Sequence, residues 1–356
     1  MVETPKVSIL LPSFNAREFL EPRVDSLLKQ TLSDWEAIVL DSGSTDGTWE
    51  YFQSAAAKDS RFRLNQIPRE GLYAALNRGV ELATGEFVHI ATCDDSMSPN
   101  FLAEMLNAFS RFPDAGIATC DVRLINRDGN DLSREDLSSR LSSRAAKNLL
   151  GLDQVRTAFG DQHLQQVNYR PVPHDSLLHF DGRSVYFSLN QLLVRTDVAR
   201  ATGPFQTNIG SVADFDWLLR LTSTVGTVHL PKKFALWRFH GNQLSLKRDE
   251  SRETARLAAA ERTLQKIEAR FPLSSIERMA LLLPLKIARS HSALTRVSGW
   301  LQSFLLLGRL LVQCPVATLR ALVRTKFRFG MRRHTLLPII FLRLGLEPKN
   351  VGRLSG

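Results

Sequence analysis

Two carboxylates, Asp94 and Asp95, stand side by side directly after the apolar run EFVHIA at residues 86–91. Adjacent carboxylates repel each other, and a divalent cation relieves that conflict. Oxygen ligands completed by a diphosphate suit Mg2+ or Mn2+. The same pair can instead cap the helix that follows Pro99, and on these residues alone the two readings stand level. Asp41 closes a second apolar run, EAIVL at 36–40, and opens the loop SGSTDG. The amides of such a loop and the helix start behind it can face an anion. Asp41 itself can accept hydrogen bonds from a base or a ribose, although a turn carboxylate capping its own loop is the simpler account. Asp214 and Asp216 open the pattern DFDWLLRL. A carboxylate there can take the proton of an attacking hydroxyl, whose own pKa is very high. Acids at a helix start also stabilise the helix dipole without any chemistry. His240, in WRFHGN, is a ligand candidate only in company, and Arg238 beside it suits a phosphate or a carboxylate.

These residues need elements that bring them to one place. KVSILLP at 6–12 reads as a buried strand ending in proline. Leu20, Val24, Leu27 and Leu28 share one helical face, which predicts a helix over 16–30. Strands are predicted over 36–40, 63–67 and 86–91, and helices from Thr48 and over 71–83. Strands alternating with helices at this spacing imply a parallel sheet covered by helices on both faces. Such sheets bind ligands outside the carboxyl ends of their strands. Ser13 to Asn15, Asp41, and Asp94 with Asp95 all fall at those ends. Further on, a helix over 101–112, a strand over 116–124, a turn at NRDGN, a solvated helix or loop over 131–147, a strand over 188–195 and a helix from Asp214 are predicted.

Charge divides the chain. Residues 1–277 carry 32 Lys/Arg and 35 Asp/Glu, whereas residues 278–356 carry 14 Lys/Arg and the single acid Glu347. A basic, apolar end of this kind points to an anionic surface partner. The uncharged stretches 297–308 and 310–319, split by Arg309, fall short of the ~18 apolar residues of a membrane span. An amphipathic region lying on the membrane surface is expected instead. Three separated cysteines form no metal spacing and fit a reducing compartment. The amino-terminal run is too short for a signal peptide. Together these set the expectation of a cytoplasmic protein, peripheral on the inner face of the cell membrane. No nucleic-acid module accompanies the basic end, so nucleic acid is not an expected partner.

Four segments, in this order, resemble the inverting glycosyltransferases of family 2: VSILLPSFN at 7–15, SLLKQTLSDWEAIVLDSGSTDGTWE at 26–50, GLYAALNRGVELATGEFVHIATCDD at 71–95, and GPFQTNIGSVADFDWLLRL at 203–221. The resemblance spans about residues 5 to 245. It implies an α/β chain with a GT-A domain over 1–250, a Rossmann-like and mostly parallel sheet, and a basic helical extension over 251–356. It implies a nucleotide-diphosphate sugar as donor and a hydroxyl of a glycan or lipid-linked molecule as acceptor, in cell-surface polysaccharide assembly. By the same resemblance Pro12, Ser13 and Asn15 line the nucleotide pocket, Asp41 contacts the base, and Asp94 approaches the ribose or phosphate. Asp95 ligates Mn2+ or Mg2+, His240 faces the metal or diphosphate, and Asp214 is the general base. Cys93 and Ala213 depart from the pattern, each standing where an acid is common. The Gln-x-x-Arg-Trp motif of processive synthases is absent from the sequence, which fits single additions. Two rival readings remain: a degenerate nucleotide-sugar-binding scaffold at a membrane, and a sugar nucleotidyltransferase. The second lacks its glycine-rich loop after the first strand.

Overall fold

The run VSILLPS is buried along its whole length and forms β1, Val7–Ser13. A strand with no exposed face needs cover on both sides, and parallel sheets obtain it from their crossover helices. The computed structural model describes residues 4–132, 166–180, 186, 188–240 and 252–289, with short stretches between 305 and 318 and between 340 and 350. After β1 come α1 (Leu20–Leu28), β2 (Trp35–Asp41), α2 (Thr48–Lys58), β3 (Phe62–Gln66), α3 (Leu72–Leu82) and β4 (Phe87–Ile90). β1 pairs in parallel with β2 and with β4, and β2 in parallel with β3. The helix expected over 16–30 is shorter than its apolar face suggested. It begins as a 3-10 turn, Arg17–Phe19, and Pro22 lies in the first turn of α1, where a missing N–H is tolerated.

Beyond β4 the chain continues with β5 (Ser96–Met97), α4 (Phe101–Arg111), β6 (Ala115–Ile125), β7 (Asn168–Arg170), α5 (His174–His179), β8 (Leu192–Arg195), α6 (Thr196–Thr202), α7 (Ala213–Thr222), β9 (Gly226–Arg238), α8 (Arg252–Glu268), α9 (Ser275–Arg289) and β10 (Lys349–Asn350). β8 pairs antiparallel with β4 and with β6, and β5 antiparallel with β9. The sheet is therefore parallel through β3, β2, β1 and β4 and turns antiparallel where β8 lies between β4 and β6. The right-handed crossover rule binds only parallel neighbours, and β8 arrives after a long excursion. The strand expected over 188–195 opens instead as a 3-10 turn, because Ser188 and Gln191 form a capping box there. Most of the segment 131–147 and of the stretches 297–308 and 310–319 lies outside the described residues.

The chain forms two compact units. One comprises Met1–Leu141, Tyr186–Asn208 and Val228–Lys247. The other takes the described residues of Ser142–Val185, Ile209–Thr227 and Arg248–Gly356, so α7 belongs with the helices after residue 250. This second unit has its own apolar core, built on helical spacing from Leu177 of α5, Phe215 and Leu219 of α7, Leu264 of α8, and Leu281 and Leu285 of α9.

In the first unit, α3 lies close against β1 and β2 through Gly79, where an added Cβ would come within 2.9 Å of a Leu40 methyl. The amino ends of β1, β2 and β4 are tied together by one buried acid. Glu36 accepts from Ser8 Oγ at 2.6 Å, from the Thr84 amide at 2.9 Å and from Thr84 Oγ1 at 2.7 Å, and pairs with Arg63. Burial pushes its carboxyl up, but the bonds from Ser8, Arg63 and Thr84 outweigh that and hold it below the usual glutamate range. A depressed native pKa stabilises the fold above the unfolded value, and the contribution is lost as pH falls through the native one. Glu36→Gln is expected to cost about 1–3 kcal/mol at neutral pH. That deficit should shrink as denaturant titrations are taken below pH 4–5, roughly the unfolded glutamate range. A deficit that does not change with pH would show that the charge of Glu36 contributes nothing.

Candidate active site

Parallel pairing sets Ser13 opposite Asp41 at the carboxyl edge of the sheet. Ser13 Oγ donates to Asp41 Oδ1 at 3.0 Å, and Ser44 Oγ donates to the same oxygen at 2.6 Å. The amides of Gly43 and Ser44 donate to Oδ2 at 3.1 and 3.0 Å. Asp41 has no exposed surface, so its carboxylate is occupied in shaping the loop after β2. Asn15 takes a left-handed backbone with φ of 49°, a conformation asparagine tolerates. Its side chain accepts from the Thr45 amide at 2.9 Å, and its own amide donates to Ser44 Oγ at 2.9 Å. The loops after β1 and β2 are thus knitted into one surface, flanked by the exposed ring of Phe14 with the Arg69 guanidinium 3.9 Å from its centroid.

The Asp94–Asp95 turn joins β4 to β5. β5 pairs with β9 so that Ser96 faces Leu236 and Met97 faces Ala235. Continuing that register past the strand end sets Asp94 opposite Arg238. The Arg238 amide donates to Asp95 Oδ1 at 2.9 Å, and its guanidinium donates to the carbonyls of Asp94 (2.8 Å), Asn126 (3.1 Å) and Arg127 (2.7 Å). Arg238 therefore clamps this turn to the turn after β6. His240 follows, with Nε2 3.1 Å from Asp94 Oδ2 and its ring 5.0 Å from that of Phe19.

The two neighbouring acids are in different states. Asp95 is 3% exposed and also accepts from Thr92 Oγ1 at 2.8 Å and from Ser188 Oγ at 3.5 Å. Burial first, and then the charge of Asp94, push its carboxyl up to about 7. The Asp94 side chain is 33% exposed. Burial pulls it upward as well, but the hydrogen bond and charge of His240 outweigh this and keep it below the usual aspartate range. Asp94 is thus the ionised, open member of the pair. Its free lone pairs and His240 Nε2 can serve one cation, with diphosphate oxygens and water completing the shell. Among the described residues no group of three or more His, Cys, Asp or Glu side chains converges on one point.

Sequence reading missed the support of this turn. Arg23 on α1 is fully buried beneath it and donates to the Thr92 carbonyl at 2.9 Å and to Asn190 Oδ1 at 2.8 Å. The only signal was a basic residue on the apolar face of a predicted helix. Cys93 donates its thiol to the Pro12 carbonyl at 3.3 Å, joining the turn to the end of β1. Burial pushes that thiol up to about 12.

Asp214 and Asp216 lie on α7, in the second unit. Asp216 is 1% exposed and is paired with Arg220 at 2.9 Å and Arg262 at 3.1 Å. Asp214 is half-buried and accepts from the Phe215 amide at 2.6 Å. Burial raises its pKa, and the Phe215 amide, Arg256 and Arg252 only partly offset the rise.

Residues 8–166 match the family model "Glycosyl transferase family 2". The chain is 31% identical over 131 residues to the "Putative teichuronic acid biosynthesis glycosyltransferase TuaG" of Bacillus subtilis, covering 36% of this chain and 52% of that protein. Curated relatives of this kind are matched over about a third to a half of their own lengths. Among solved structures, S. aureus TarS 1-349 in complex with UDP-GlcNAc superposes with a TM-score of 0.56 at 13% identity, covering 96% of this chain and 92% of that one. The mannosyltransferase PcManGT from Pyrobaculum calidifontis, in complex with GDP-Man and Mn2+, gives 0.51 at 16% identity, over 97% and 89% of the two chains. At these identities the structural likeness is one of fold. Residues 8–166 are thus similar to glycosyl transferase family 2, and the fold is the GT-A fold.

Proposed function

We propose that this chain transfers a sugar from a nucleotide-diphosphate sugar to a hydroxyl of a glycan or lipid-linked acceptor, in polysaccharide assembly, with inversion at the anomeric carbon. The observation that carries the reading is the ionised Asp94 facing His240 at the carboxyl edge of a family 2 domain. The relative TuaG and the UDP-GlcNAc and GDP-Man complexes of the structural neighbours support the substrate class. In this proposal Pro12, Ser13, Asn15 and the loop shaped by Asp41 form the floor for the nucleotide. Asp94 and His240 hold a divalent cation, and Asp95 keeps the turn in place. An imidazole in the set suits Mn2+ better than Mg2+, which takes oxygen ligands. When bound, such an ion neutralises charge on the leaving diphosphate.

The base is Asp214. It removes the acceptor proton as that oxygen forms its bond to the anomeric carbon and the bond to the diphosphate breaks. Its raised pKa makes it a stronger base than an ordinary aspartate. Below that pKa it is protonated and cannot accept, so the rate falls on the acid side. The acid limb of kcat should lie above the ordinary aspartate range of about 4. Asp214→Asn is expected to lower kcat by about 10²–10⁴ while donor binding persists. Near-wild-type transfer by Asp214→Asn, across a panel of donors and glycan acceptors, would remove it from the mechanism.

The ligand assignment is checked by titrating Mn2+ into the chain with UDP present. Asp94→Asn and His240→Ala should each weaken Mn2+ binding by about 10–100-fold or more. If Asp95→Asn abolishes binding while Asp94→Asn leaves it intact, Asp95 is the ligand instead.

We further propose that the second unit meets an anionic membrane surface. Residues 278–356 carry 14 basic residues against one acid, and Met279, Leu305 and Val312 are exposed at 44%, 58% and 82%. Among the described residues no helix is long and apolar enough to cross a membrane. The full chain should co-sediment with vesicles containing phosphatidylglycerol, release in high salt, and ignore pure phosphatidylcholine. Equal recovery in the supernatant with both vesicles would end this part of the proposal.

A further inference from the structure

Arg23 is fully buried, and among the described residues it forms no salt bridge, although the charges of Asp95 and Asp94 act on it from nearby. An unpaired guanidinium is expensive to bury, so its location calls for a reason beyond packing. Its hydrogen bonds supply one. Nε donates to the carbonyl of Thr92, just before the acid pair, at 2.9 Å. Nη2 donates to Asn190 Oδ1 at 2.8 Å, and the Asn190 amide group donates to the carbonyl of Ser96, just after the pair, at 3.0 Å. Asn190 N also donates to Ser188 Oγ at 3.1 Å, and that hydroxyl reaches Asp95 Oδ2 at 3.5 Å. The turn is therefore gripped on both sides of Asp94 and Asp95 by one arginine and the amide it orients.

We propose that Arg23 and Asn190 are positioning residues that hold the Asp94–Asp95 turn rigid, so that the Asp94 carboxylate faces His240 before any cation arrives. This rests on the reading of Asp94 and His240 as the ligands. Supports one step behind the ligands set their orientation, and losing one costs about 10–100-fold in metal affinity. The planar fork of arginine serves two acceptors in different directions, which a lysine ammonium on a flexible stem does not reproduce.

Two measurements on the full chain test this. In Arg23→Met, hydrogen exchange followed by mass spectrometry without metal should speed up at residues 92–96 and 188–191 and stay unchanged in the parallel strands. Mn2+ binding with UDP present should weaken by about 10–100-fold. Arg23→Lys keeps the charge and should recover only part of either property. Asn190→Ala should reproduce Arg23→Met and replaces it if Arg23→Met does not fold. If Asp94→Asn abolishes Mn2+ binding but Arg23→Met and Asn190→Ala bind like wild type, Arg23 is a structural residue and the proposal is overturned. Full recovery of Mn2+ affinity by Arg23→Lys would overturn it too, since charge alone would then suffice. If Asp94→Asn leaves Mn2+ binding intact, the ligand reading fails first, and the purpose assigned to Arg23 fails with it.

Discussion

Two antiparallel residue pairs, Ser96 with Leu236 and Met97 with Ala235, determine where the candidate chemistry can occur. They bring the end of β9 alongside the turn that leaves β4, across more than a hundred residues of chain. A slip of one residue would exchange inward and outward side chains. Arg238 would then no longer reach the Asp94 carbonyl, and His240 would point away from Asp94. The short β5 is therefore worth more than its length suggests. It converts a loop at a strand end into a defined arrangement of a carboxylate, an imidazole and a clamping guanidinium.

Within that arrangement, two identical side chains acquire different chemistry from their surroundings alone. Asp95 faces inward among Thr92, Ser188 and the Arg238 amide, and pays the desolvation cost that lifts its carboxyl to about 7. Asp94 faces outward and is kept ionised by His240. Each assists the other: a neutral Asp95 would spare Asp94 a like charge one residue away. Environments that push the pKa values of paired acids apart give two identical neighbours in one motif different chemistry.

The parallel half of the fold was legible because its determinants are local. VSILLPS, WEAIVLD and FVHI are apolar runs too short for helices, which favours buried strands, and the turn residues after them mark the carboxyl edge. The placement of Ser13, Asp41 and the acid pair on that edge followed directly. The antiparallel half was not legible in the same way. β5 has two residues and no periodicity to read, and β9 alternates only in part, with Lys232 and Lys233 exposed in its middle. Arg23 was hidden for a different reason. Its partners are a backbone carbonyl and a side chain 167 positions away, and neither leaves a mark on the local pattern. Which of Asp94 and Asp95 is the more buried was hidden as well, because burial of a carboxylate depends on the whole sheet around it.

α7 presents the same lesson on a helix. Asp214 and Asp216 are two residues apart, about 200° around the helix axis, so they cannot share a face. Asp216 falls on the side of α8, where Arg262 meets it, and Arg220 one turn on completes a buried ion pair of a kind that holds helices in register. The lone pairs of Asp216 are taken up by these two guanidinium groups. Asp214 falls on the half-open side, where burial raises its pKa and its carboxylate accepts from the neighbouring Phe215 amide. Sequence spacing left both acids eligible as the base. Their different pairing on the folded helix is what favours Asp214 in the proposed mechanism, because proton transfer needs a carboxylate whose lone pairs are not already committed.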